Sequence, residues 1–398
     1  MRDLRLSFAD AYETETSWIV AETLCNACFE LDKETGRVSY LFSFEGEKPL
    51  QAGLYHQIYS CGKDLFFVPG YAKRICAWNM DTGERAYYPV TERGDAGHRY
   101  VDSCRIGDAV WLLPSSLSQP IVKFDMKRRR AEYWEDYAEA VPEGAADKKR
   151  PVFFRQYAKN GTEVHAVVRD SPYMACFDLE NRKVSVKKVG DRPLTDLCLD
   201  GTVFWFSMRD GDDVLRWEAD SGAMEIYPSE TSGEGRGYSN LIKVGGEILL
   251  VPNVGGQVMR VNPAEKRVEA FCDLPEELGR MGDARAGWRR FFSYRCEGNL
   301  VRLYPNQADR MVDVHVSGRR ASGREFHLEE SQYRDVFRKK ILNAHFAKEL
   351  SGEKAEAMET PVADLDAYLA YVAQEGRRTQ RVGSGGCGEA IHRALDCD

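Results

Sequence analysis

The chain has 398 residues, room for two ordinary domains or for one repeat-built domain with an appendage. Its 55 basic and 63 acidic residues leave a formal charge of -8, which argues against a nucleic-acid partner. No apolar run approaches the roughly 20 residues of a membrane-spanning helix, so no membrane partner is expected either.

The opening segment passes through Asp10, Glu13 and Glu15 instead of a signal-peptide core, and the 11 cysteines are odd in number and irregularly spaced. Both features predict reduced thiols in a cytoplasmic protein.

In chain order, the first strand-like pattern is Trp18–Ala21, followed by Cys28–Asp32, a turn at Lys33–Gly36 and a further run at Val38–Phe44. The same rhythm then recurs with a leading glycine at Gly62, Gly107, Gly161, Gly201, Gly246 and Gly287. Each glycine is followed by a short aromatic or β-branched run such as Leu65–Val68, Val110–Leu113 or Val203–Phe206, the composition of buried strands.

A turn residue follows each glycine after 16–18 positions, at Asn79, Asp125, Asp178, Glu218, Asn262 and Tyr304. With Asp32 as the first, these turns recur every 40–53 residues, the period of a four-stranded blade. One such sheet cannot bury both faces, so the copies must stack radially into a ring. The expected fold is all-β: a seven-bladed β-propeller of four-stranded antiparallel blades over 1–328. Six blades remain open if the glycine-less first copy is a cap. Leu4–Phe8 and Arg324–Leu328 are the candidates for closing the ring.

The rhythm resembles the broad propeller group that includes Kelch-like, quinoprotein-like and virginiamycin-lyase-like proteins. Neither the Gly-His…Trp-Asp mark of WD40 blades nor a regular Kelch Gly-Gly doublet is present, so no single family is singled out.

After residue 328 the apolar period changes to that of a helix. Tyr333, Val336, Phe337 and Ile341 share one stripe, and Thr360-Pro361 starts a second helix. Residues 329–376 are therefore expected to form a helical appendage. Residues 377–398, with the glycine-rich stretch from Gly383 and the apolar pattern Glu389–Leu395, form a flexible tether with a terminal helix. Such a tip either folds back on the ring or docks a protein partner.

In a propeller the innermost strands start at the face onto which the loops between second and third strands open. Those loops supply Tyr71, Arg74, Arg169, Arg209, Asn253 and Arg295, and the inner-strand starts supply His56, His98, Arg99 and Tyr238. An arginine-rich, aromatic mouth suits a small anion such as a phosphosugar, if those charges are more than solvated loop residues.

The resemblance to virginiamycin-lyase-like propellers implies a mouth histidine as general acid or base, for which His56 and His98 are placed; His165 lies in a strand and reads as a satisfied core histidine. Cys25-Asn26-Ala27-Cys28 is half a zinc site without its complement, and core packing explains it better. Cys387 and His392 lack a third member for a nucleophile, and no cofactor or resident-metal motif is found.

Two readings follow. One is a non-catalytic recognition or scaffold propeller that binds a protein partner or an anionic small molecule. The alternative is a propeller lyase or hydrolase acting on an anionic carbohydrate or peptide-like substrate.

Overall fold

The computed structural model describes residues 6–48, 52–90, 100–141, 153–168, 171–209, 211–230, 237–279, 290–306 and 308–328, with the side chains of 153–156, 277 and 279 excepted. The predicted appendage and tether, and with them Cys387 and His392, lie outside the described residues. So do His98, Arg99 and Arg169.

Among the described residues, twenty-eight strands form seven antiparallel sheets, each built from four consecutive strands. Blade 1 is β1 (Phe8–Glu13), β2 (Ser17–Glu22), β3 (Cys28–Asp32) and β4 (Val38–Phe42). Blade 2 is β5 (Tyr55–Cys61), β6 (Asp64–Pro69), β7 (Arg74–Asn79) and β8 (Arg85–Pro89). Blade 3 is β9 (Tyr100–Ile106), β10 (Ala109–Pro114), β11 (Ile121–Asp125) and β12 (Arg130–Trp134). Blade 4 is β13 (Phe153–Asn160), β14 (Glu163–Val168), β15 (Tyr173–Asp178) and β16 (Lys183–Lys188). Blade 5 is β17 (Leu194–Asp200), β18 (Val203–Met208), β19 (Val214–Glu218) and β20 (Met224–Tyr227). Blade 6 is β21 (Tyr238–Val244), β22 (Glu247–Pro252), β23 (Gln257–Asn262) and β24 (Arg267–Asp273). Blade 7 is β25 (Phe291–Glu297), β26 (Leu300–Pro305), β27 (Arg310–His315) and β28 (Arg320–Glu325).

The first copy is thus a complete blade, and the count is seven. Its inner hairpin turns through Thr14-Glu15-Thr16, closed by the Thr14 N–H to Ser17 O at 2.8 Å, which is why no glycine marks it. Elsewhere the inner hairpin needs a left-handed residue, as at Gly62 with φ +64°.

Blade 7 corrects the sequence alignment. Its hairpin glycine is Gly298, at φ +60°, and not Gly287; its turn residue is His315, and not Tyr304. In the third-to-fourth-strand turns the residue four positions after the turn residue is left-handed: Gly83 after Asn79, Arg129 after Asp125, Arg319 after His315. Phe291-Phe292 belongs to the innermost strand, so Tyr294 and Arg295 stand on that strand instead of in a mouth loop.

Adjacent blades bury aromatic and aliphatic layers between them. Blades 1 and 2 enclose Phe42, Phe44, Tyr55 and Phe67 with Cys28 and Cys76, so Cys28 is core, as expected. Burying such large side chains stabilises by about 1.5–3 kcal/mol each before entropy is counted. The outermost strands range from half-buried in β4 to almost wholly exposed in β28.

The ring closes between blades 7 and 1 without exchange of a strand, so neither candidate closing segment adds a strand to the blade at the other terminus. Phe8, Trp18, Tyr304 and Phe326 pack edge to face at 5.8–6.1 Å. The Asp309 N–H donates to Leu6 O at 3.1 Å and the His327 N–H to Gly36 O at 2.9 Å. Both candidate closing segments therefore contribute, as clasps flanking whole blades.

Candidate functional site

The seven inner strands share a local design. Each begins with a large apolar residue paired to the end of the second strand, as Tyr55 with Pro69 and Tyr238 with Pro252, and each carries a register irregularity at or near this pair. Two residues after the start stands a polar group: Asp10, Gln57, Asp102, Asp196, Asn240 and Ser293 in six blades. This apolar-x-polar pattern at the inner-strand starts is legible in the sequence and is not among the loop residues singled out above.

This polar column stitches neighbouring blades together. Asp10 accepts the Ile58 N–H at 2.9 Å, Asp102 the Tyr157 N–H at 3.2 Å, and Asp196 the Leu241 N–H at 3.0 Å. Gln57 Nε2 donates to Asp102 Oδ1 at 2.8 Å, and Ser293 Oγ donates to Ala9 O. A buried carboxylate is retained only where such donors replace water.

The axial channel inside this column has a volume of about 470 Å³ and is lined from all seven inner strands; His56, Tyr157, Lys159, Asn240, Lys243 and Tyr294 are among the lining residues. Three described cations of the inner strands have carboxylate partners. Lys159 Nζ lies 3.3 Å from Asp102, Lys243 Nζ 2.9 Å from Asp200, and Arg295 Nη2 3.1 Å from Asp10. Burial raises the Asp10 carboxyl, against the pull of Arg295 and two backbone N–H groups.

The residues singled out from sequence scatter. His56 lines the channel, wedged against Gly70, whose missing Cβ would lie 2.4 Å from the imidazole and 2.5 Å from Gly53 O. Tyr71 meets His56 edge to face at 6.5 Å. Asn253 accepts from Ser239 Oγ at 2.6 Å. Tyr238 is buried, and its hydroxyl donates to Asp212 O at 3.1 Å. Arg74 donates to Glu45 O and stacks 4.4 Å over Tyr87 of β8, the outermost strand, well away from the axis. Arg209 is exposed in the β18–β19 loop. His165 is buried in β14 as expected but is not satisfied: its Nδ1 has no hydrogen-bond partner.

Glu22, at the mouth end of β2, accepts the N–H groups of Ser7, Leu24 and Cys25. Burial nevertheless pushes its carboxyl up to about 7, from an ordinary value of 4.5. A carboxyl raised on folding favours the native state most below its unfolded value, and that contribution fades as pH rises through the folded one. The wild type should therefore lose roughly 3 kcal/mol between pH 4.5 and pH 7–8 through this group. Urea midpoints measured across pH should show that slope in the wild type and not in Glu22→Gln.

No protein-family model matches the chain, and no curated protein matches it. Among solved structures 1243 chains resemble it, and their differing functions make the likeness one of fold alone. YCF48 bound to D1 peptide aligns over 77% of this chain and 90% of that one, at 9% identity and a TM-score of 0.54. Streptogramin B lyase aligns over 70% and 85%, at 13% identity and a TM-score of 0.50. The chain spans 38% of the length of an extracellular domain from B. thetaiotaomicron that it also resembles, at 9% identity and a TM-score of 0.51. By its seven four-stranded blades and these likenesses, the chain is a seven-bladed β-propeller.

Proposed function

We propose that this propeller is a non-catalytic recognition module whose mouth takes a segment of a protein partner. The observation that carries this is the pairing, among the described residues, of inner-strand cations with carboxylates: Lys159, Lys243 and Arg295 are each held by an aspartate. A phosphosugar needs uncommitted positive charge, whereas a peptide brings neutral amides and side chains that suit a lining of His56, Gln57, Asn240 and aromatic rings. The peptide-bound YCF48 structure, alike in fold, supports the same use of a propeller. On this reading residues 377–398 tether a second partner, and the protein works in the cytoplasm.

The enzyme reading keeps one observation in its favour, His56 at the channel of a fold shared with streptogramin B lyase. Native mass spectrometry of the protein purified from its own cells, full-length and ending before Arg377, separates these readings. A protein retained by both forms supports recognition at the ring. A small anion retained by both forms supports the ligand or enzyme reading, and a partner lost on truncation assigns recognition to the tail alone.

A further inference from the structure

The geometry points to a transition-metal site, of the kind that takes zinc, formed by Glu163, His165 and Cys176 on blade 4. Glu163 and His165 stand two apart on β14 and so project from one face of the sheet, and Cys176 on β15 is the direct cross-strand partner of His165. One ligand atom from each lies within 4.8 Å of the other two, a span that small rotamer changes bring to tetrahedral separation. The cluster sits at the end of the blade opposite the mouth and is independent of the recognition site.

Among the described residues, no hydrogen bond engages Nδ1 of the imidazole. His165 is 5% exposed, its Nδ1 has no partner, and its Nε2 lies 3.9 Å from Glu163 Oε2, beyond hydrogen-bond reach. Phe204 of blade 5 packs 4.9 Å from the imidazole and fixes the ring. A buried imidazole in that state costs free energy, and a metal ion at one ring nitrogen supplies one of the bonds it lacks.

A thiolate, an imidazole and a carboxylate form a soft-to-intermediate donor set that suits Zn²⁺ or Co²⁺ over Mg²⁺ or Ca²⁺. Binding displaces the thiol proton of Cys176 to solvent, and the thiolate and the Glu163 carboxylate then neutralise the dication. Three protein ligands leave the fourth position to water, which reaches the site past the exposed Glu163.

Cobalt(II) titration of the full metal-free chain tests the assignment. One equivalent should produce a thiolate-to-cobalt charge-transfer band with tetrahedral ligand-field bands, and zinc should displace it. The band should vanish in Cys176→Ser, while Glu163→Gln, at an exposed position that leaves folding intact, should weaken binding about 100-fold. Zinc should also protect Cys176 from alkylation in the wild type. A folded chain without the band, or a band that survives Cys176→Ser, overturns the assignment.

Discussion

Arg302→Leu should destabilise the ring by about 3 kcal/mol, because breaking a buried ion pair from one side leaves its partners charged and unmatched. Arg302 stands at the blade 7–blade 1 seam with 10% of its side chain exposed. Its guanidinium reaches Glu13 Oε2 of β1 at 2.7 Å and Asp313 Oδ1 of β27 at 2.9 Å, and it also lies over the Trp18 ring at 5.5 Å. Leucine fills part of the volume but satisfies neither carboxylate. Glu13 keeps Lys33 at 2.7 Å, so the larger share of the loss falls on Asp313.

The pH dependence of this seam has a definite sign. Burial alone would raise the Glu13 carboxyl, but the bonds from Lys33 and Arg302 hold it down to about 2. A depressed carboxyl contributes stability above its unfolded value near 4.5 and loses it as pH falls toward the folded one. Because about a third of Glu13 is exposed, solvent screening cuts its share to about 1 kcal/mol. The difference in urea midpoint between wild type and Arg302→Leu should accordingly shrink below pH 4.5. The triple change Arg302→Leu, Glu13→Gln, Asp313→Asn should recover a large part of the loss.

Asp102→Ala should cost a comparable 3 kcal/mol, since it strands several donors at once near the axis. Its two oxygens accept from Gln57 Nε2 and the Ser103 N–H, both at 2.8 Å, from the Tyr157 N–H at 3.2 Å and from Lys159 Nζ at 3.3 Å. After truncation Lys159 retains Ser103 O at 2.5 Å. Asp102→Asn keeps one acceptor oxygen and should lose about half as much. Pairing Asp102→Ala with Lys159→Met should be less than additive, as a double-mutant cycle in urea would show.

These two sites mark where the sequence was legible and where it was not. The turn columns were readable because their function is local: Asp32, Asn79 and Asp125 each accept backbone N–H groups two and three residues on, so the signal sits within one turn. Blade 7 slipped by one strand because Gly287 and Gly298 both precede an apolar run and both place a turn residue 17 positions later. The backbone decides between them at Gly298 and Arg319.

The face onto which the loops open was legible, since chain direction alone puts Tyr71 and Asn253 where Tyr55 and Tyr238 begin. What periodicity could not supply was the partner of each polar side chain. Asp102 meets Tyr157 and Lys159 more than 50 residues away, and Arg295 meets Asp10 across the ring closure. Arginines chosen as anion ligands thus divide by packing: Arg295 is tied to Asp10, and Arg74 lies over Tyr87 on the outside of its blade.

The proposed mouth recognises a protein segment, and Tyr71 stands there half-buried beside His56 on the β6–β7 loop. Native mass spectrometry of the chain ending before Arg377, with and without Tyr71→Ala, tests this claim most directly. A retained partner whose affinity falls about 10-fold with Tyr71→Ala, in a variant of unchanged stability, is the predicted result; retention indifferent to Tyr71, or a small anion in the partner's place, would contradict it.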